Sequence, residues 1–142
     1  MLHAKDLLTL GNAASGLASI LLCVQGRPGW AAWAVMVGYA FDVADGAVAR
    51  AMGGSNRFGA ELDNLADHMT FGIAPAYCIY LAYRAETPAL AVLMGGAFAL
   101  AATVRHTRNL VYPVPTAGCW VGLPRPAAAF VAISFVQSRL FG

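Results

Sequence analysis

The chain has 142 residues, of which 59% are hydrophobic and only 11% charged, against about 25% charged in ordinary soluble domains. Mean hydropathy is +0.62 and net charge +2, which points to lipid as the main solvent and excludes a broad nucleic-acid footprint. Cys23, Cys78 and Cys119 are dispersed through apolar stretches, and an odd, scattered set argues for small buried residues rather than a disulfide framework or a zinc site.

A membrane-crossing helix needs about 20 mostly apolar residues, and five segments approach this. The first runs from about Leu7 to Val24. Lys5 precedes it as in a signal peptide, but it carries Thr9, Gly11 and Asn12 and no small-residue cleavage motif follows, so a retained helix is expected. The second runs from about Trp30 to Ala51 and ends in a stretch with Asp42, Asp45 and Arg50. The third, about Gly59 to Tyr83, opens with Asp63 and Asp67. Pro75 inside it should kink it and free a carbonyl near Phe71. The fourth spans about Pro88 to Val104. The longest break follows, from Arg105 to Leu123, with Pro113 and Pro115; the fifth segment is about Pro124 to Phe141. Small residues four apart, Gly11 and Ser15, Ala14 and Ala18, Gly95 and Ala99, would let helices approach closely in lipid, and they fit the ordinary abundance of Gly and Ala equally well. Trp30, Trp33 and Trp120 near helix ends fit an interfacial belt.

Six of the nine basic residues, Lys5, Arg50, Arg57, Arg105, Arg108 and Arg125, fall on the side of the N-terminus. That bias places this side in the cytoplasm, and the aspartates with it. The chain reads as one membrane-embedded domain, residues 1–142, of an all-α integral membrane protein.

Asp42 and Asp45 are three apart and Asp63 and Asp67 four apart, so each pair shares a helix face. Ionised carboxylates near lipid cost about 2.5–3.5 kcal/mol each even on lenient scales, and their repulsion adds to this unless a cation compensates. Four oxygen donors without Cys or His favour Mg²⁺ or Mn²⁺ over zinc. Two such pairs have room for two ions, which can clamp the attacking and leaving oxygens of a phosphoryl displacement. Gly46, Ala49 and Gly59 keep the surroundings clear for a phosphate-bearing ligand, and Arg50 can fork onto a phosphate. The alternative is that these aspartates cap helices or pair with Arg50 and Arg57.

The pattern D-x2-D-G-x2-A-R-x8-G-x3-D-x3-D, from Asp42 to Asp67, resembles the signature of the CDP-alcohol phosphatidyltransferase family at all eight fixed positions. Residues 65–76, 105–109 and 122–129, with the opening 8–12, look like the phosphatidylserine synthase branch. The resemblance implies a bundle of at least six membrane helices, where five are visible here, so the chain is expected to stop short of a sixth. It implies a homodimer with its site open to the cytoplasm, in the inner or plasma membrane if the source is prokaryotic. It implies transfer of a phosphatidyl group from CDP-diacylglycerol to an alcohol, serine in that branch, with release of CMP. Asp42, Asp45, Asp63 and Asp67 match the metal-binding positions, and Asp67 also the general base. Thr9, Gly46, Ala49, Arg50, Asn56 and Gly59 match positions near the CDP-lipid; Asp6 stands where relatives often carry Asn.

For the acceptor, Arg105 and Arg108 share a face and can bind a carboxylate or phosphate, although basic residues flank membrane helices in any case. Arg125 is a weaker candidate, and His106 reads as structural. Two alternatives stay open: the same chemistry on inositol phosphate or glycerol phosphate, and a non-enzymatic metal-binding membrane protein.

Overall fold

The computed structural model describes residues 4–53, 56–112 and 124–140. Pro113, Pro115, Cys119, Trp120 and Phe141 lie outside them. Among the described residues six helices form a bundle: α1 (Ala4–Val24), α2 (Pro28–Ala51), α3 (Arg57–His68), α4 (Ala74–Tyr83), α5 (Pro88–Val111) and α6 (Arg125–Leu140). One π-helical turn, Met69–Ile73, joins α3 to α4, so the backbone runs helically from Arg57 to Tyr83.

Local chemistry accounts for the boundaries. Gly26 takes φ +70° after α1, its N–H bonds Cys23 O, and Arg27 N–H bonds Leu22 O, which is a Schellman ending. Gly53 takes φ +80° after α2 in the same way, with its N–H on Arg50 O. Pro28 and Pro88 open α2 and α5, where a missing N–H is harmless. Asn56 caps α3, its side chain accepting from Gly59 N–H at 2.7 Å. At Pro75 the expected disturbance takes a definite form. The ladder slips by one residue, and Ala74 N–H reaches back five residues to Met69 O. α5 runs on to Val111, so Arg105, His106 and Arg108 sit on a helix and not in the break expected there.

The helices are sorted for lipid. α1 turns Lys5, Asp6, Thr9, Asn12, Ser15 and Ser19 inward, all buried, while Leu7, Leu10, Leu17, Leu21 and Val24 face out. A polar stripe inside and an apolar stripe outside suits a helix surrounded by hydrocarbon. Among the described residues, three helices are individually long and apolar enough to cross a membrane: Lys5–Val24, Pro28–Ala51 and Pro88–Val111. The third expected span begins with the charged α3, and α6 has 16 residues, about 24 Å.

Close approach centres on Thr70 of the π turn. A Cβ on Gly16 would stand 2.8 Å from Thr70 Cα, and one on Gly38 2.7 Å from Thr70 Cγ2. Of the small residues singled out from spacing, Gly95 does pack tightly, 2.8 Å from Ala76 O measured from an added Cβ, whereas Ala14 is exposed. Apolar clusters knit the other elements: Ile79, Tyr83, Ala91, Ala132 and Val136 join α4, α5 and α6, while Val35, Phe71, Ala129 and Ile133 join α2, the π turn and α6.

Contrary to what their dispersal suggests, the cysteines are not all unpaired. Cys23 and Cys78 form a disulfide between α1 and α4, with Cα atoms 5.8 Å apart. Their separation of 55 residues hid the pair, because only helix packing brings the end of α1 against the middle of α4.

Candidate active site

Where α2, α3 and α6 meet, a cleft of about 700 Å³ opens. α2 contributes Asp42, Asp45, Gly46 and Arg50 to its wall, α3 contributes Asp63 and Asp67, and α6 contributes Arg125 and Phe130. The helical spacings read from the sequence therefore bring both aspartate pairs to one cavity.

Within it the four carboxylates divide. Asp42, Asp63 and Asp67 each offer an oxygen, and these lie within 4.8 Å of one another. Asp45 stands apart from that cluster. It is buried, and its Oδ2 accepts a hydrogen bond from Thr9 Oγ1 at 2.6 Å. Asp67 has a donor on each oxygen: Asn12 Nδ2 on Oδ1 at 2.9 Å and Arg125 Nη2 on Oδ2 at 3.3 Å. Asn12 is itself anchored, since Thr70 Oγ1 donates to its carbonyl at 2.9 Å. A divalent cation fits this donor set. Three hard carboxylates converge, and Asp63 Oδ1 is buried with no hydrogen-bond partner among the described residues. A metal ion would satisfy that oxygen and offset the crowding of negative charge.

The remaining candidates are distributed less simply. Arg50 and Gly46 line the cleft, and a Cβ on Gly46 would touch Arg50 Nη1 at 3.4 Å. Gly59 is not in the cleft lining; its missing Cβ makes room for the Lys5 and Asp6 side chains of α1. Thr9 holds Asp45, Asn56 caps α3, and Ala49, half-buried, is absent from the cleft lining. Arg108 is exposed on the last turn of α5. Arg105 is partly buried and lines a separate cavity of about 180 Å³, whose walls are Phe71, Phe98, Ala101, Ala102, Ala128 and Arg125. Arg125 thus stands between the two cavities, a more central place than its sequence context suggested. Asn12 received no role from the sequence beyond its motif match, although it belongs to the inward polar stripe of α1, the one signal that could have marked it.

Fold and site together define a helical integral membrane protein with an acidic cleft suited to a metal ion. A sequence profile of the CDP-alcohol phosphatidyltransferase family matches residues 2–140, and the chain belongs to that family. It is 34% identical over 133 residues to the CDP-diacylglycerol–serine O-phosphatidyltransferase of Methanocaldococcus jannaschii, covering 94% of this chain and 60% of that protein. It is 37% identical over 140 residues to the archaetidylserine synthase of Methanothermobacter thermautotrophicus, covering 96% and 58%. The corresponding enzyme of Mycobacterium leprae is 32% identical over 138 residues, covering 94% and 46%. The chain thus spans about half to three-fifths of the length of these relatives.

Proposed function

We propose that the protein transfers the phosphatidyl group of CDP-diacylglycerol to the hydroxyl of L-serine, releasing CMP. The observation that carries this reading is the convergence of Asp42, Asp63 and Asp67 opposite Arg125 in one cleft, on the family's signature. The names of the similar proteins support serine as the acceptor.

In this reading Asp67 is the general base. Each carboxylate oxygen has two lone pairs, so Asn12 and Arg125 leave Asp67 able to accept the seryl proton. As that proton moves, the seryl oxygen forms a bond to the lipid-linked phosphorus, the bond to the CMP oxygen breaks, and its electron pair leaves with CMP. Arg50 steadies a phosphate of the CDP-lipid from the cleft wall. Arg125, whose five N–H groups exceed the needs of Asp67, is placed to hold the serine carboxylate, with Arg105 behind it. Arg108 belongs to the outer, first-encounter part of this basic patch. Thr9 keeps Asp45 oriented through its Oδ2, and Gly46 and Ala49 leave the α2 face open to the nucleotide. Asn56 and Gly59 act through the shape of the α3 start. Mg²⁺ or Mn²⁺, as two ions between the aspartates, would neutralise the pyrophosphate and the charge that develops on the leaving oxygen.

The cleft faces the cytoplasm in this reading. Two observations support that orientation. Basic residues predominate on the side of the N-terminus, and the Cys23–Cys78 disulfide sits at the other end of α1, fourteen residues or about 21 Å from Thr9. Disulfides persist in oxidising compartments, which supports an outward-facing position for that end. Association of two copies completes the reading and is checked by cross-linking in membranes.

The deciding experiment reconstitutes the full chain with CDP-diacylglycerol and labelled serine, with Mn²⁺, Mg²⁺ or a chelator. Metal-dependent formation of labelled phosphatidylserine is expected. Release of CMP only with inositol phosphate or glycerol phosphate would overturn serine as acceptor, and no release with any alcohol would overturn the enzyme reading.

A further inference from the structure

Two histidines lie beside the acidic cleft without touching the aspartates through a hydrogen bond. His106 on α5 and His68 at the end of α3 stack, with ring centroids 5.1 Å apart and planes at 26°. His106 Nδ1 faces Arg125 Nη1 at 3.2 Å, and the other terminal nitrogen of the same guanidinium, Nη2, lies 3.3 Å from Asp67 Oδ2. One guanidinium therefore bridges Asp67 and His106.

The chemistry fixes the direction of each contact. A guanidinium has no lone pair, so His106 Nδ1 accepts and its ring carries its proton on Nε2. Behind it, Thr103 Oγ1 donates to Ala99 O at 2.8 Å, and a hydroxyl has a single hydrogen. His68 Nε2, 3.3 Å from the same oxygen, therefore donates to it. The π turn makes room for this second ring: a Cβ on Gly72 would meet His68 Nδ1 at 3.0 Å and Ala102 Cβ at 3.2 Å.

We propose that His106, backed by the His68 ring, is a positioning residue that fixes the Arg125 guanidinium against Asp67 and aims its remaining N–H groups at an anionic group of the acceptor. This rests on the proposed transferase reading and adds a second-layer device to it. An arginine side chain is long and carries about 2 kcal/mol of rotamer entropy, so an acceptor on its flank narrows where the fork points. The arrangement also explains why α5 must continue past Val104: His106 reaches Arg125 only if it is held on a helix next to α6.

The test uses the full chain in nanodiscs and the variants H106A and H106N. The Asn amide oxygen can stand near the place of Nδ1 and accept from Arg125. H106A is expected to raise the KM for serine about tenfold, the size of a lost hydrogen bond to a charged group, with kcat and the KM for CDP-diacylglycerol within about twofold. H106N should recover most of the loss. Equal KM values for serine in wild type and H106A overturn the proposal, as does a parallel loss in both KM values that H106N does not repair. Should the protein use another alcohol, the serine reading falls and the same split is read on that alcohol. A readout independent of turnover comes from nitrogen-15-labelled histidine, of which the chain has three. R125Q should move the His106 Nδ1 resonance and leave its Nε2 proton in place. An unmoved signal overturns the proposal whether or not the chain is active.

Discussion

Replacing Thr9 with Val tests how the buried polar stripe of α1 serves the aspartates. The two side chains have nearly the same shape, and Thr9 is 1% exposed, so the change removes a hydroxyl and little else. What is lost is the 2.6 Å contact to Asp45 Oδ2, a length typical of a charge-assisted O–H···O⁻ bond. A hydrogen bond to a charged group contributes about 1.5–3 kcal/mol. In the proposed two-ion site Asp45 is a ligand, and removing a group that orients a metal-binding side chain weakens metal affinity by about 10–100-fold, or about 1.4–2.8 kcal/mol. The two routes agree, so Thr9→Val should raise the Mn²⁺ concentration for half-maximal CMP release by about 10–100-fold. Thr9→Ser, which keeps the hydroxyl, should stay within a few-fold of wild type. The assay is a Mn²⁺ titration at saturating CDP-diacylglycerol, with thermal unfolding in chelator to check that both variants fold. A folded Thr9→Val protein whose metal requirement is unchanged would refute the link from Thr9 through Asp45 to the ion.

Three further outcomes are expected. Asp67→Asn should lower kcat by about 10²–10⁴-fold while CDP-diacylglycerol binding stays close to wild type; near-normal turnover rules Asp67 out as the base. Gly16→Ala places a methyl 2.8 Å from the Thr70 backbone, so α1 and the π turn must separate. It should destabilise the protein by about 1–3 kcal/mol and also lower activity, because Thr70 anchors Asn12 on Asp67; an unshifted melting curve argues against this packing. Reducing the Cys23–Cys78 bond, or Cys23→Ser, should cost up to about 4 kcal/mol by loop closure across 55 residues, read as a lower denaturant midpoint, and identical midpoints with and without reductant count against the bond.

The two aspartate pairs were legible because their information is local. Helical periodicity alone puts Asp42 with Asp45 and Asp63 with Asp67, and the expense of charge near lipid says that the pairs need a cation. The glycine at each of residues 46 and 59 was legible as a place without a side chain, but its neighbour was not. Gly46 does face the cleft, whereas Gly59 admits Lys5 and Asp6 from a helix some fifty residues away in sequence. The cysteines failed for the same reason, since dispersed residues carry no local sign that two helices will meet at them.

By itself, then, the sequence determined a membrane-embedded helical chain and the face on which each aspartate lies, both of which follow from composition, period and short-range spacing, while the family was legible only as a resemblance of its motif to a known signature. Tertiary structure alone decided the rest. It gathered Asp42, Asp63 and Asp67 while tying Asp45 to Thr9 across 36 residues, and it set Asn12 on Asp67 across 55. It also moved Arg125 from a weak candidate to the wall between two cavities, paired at once with Asp67 and His106. The physical reason is that a helix period specifies a direction around one axis, whereas the partner in that direction depends on how closely the axes approach, which here is set by Gly16 and Gly38 against Thr70.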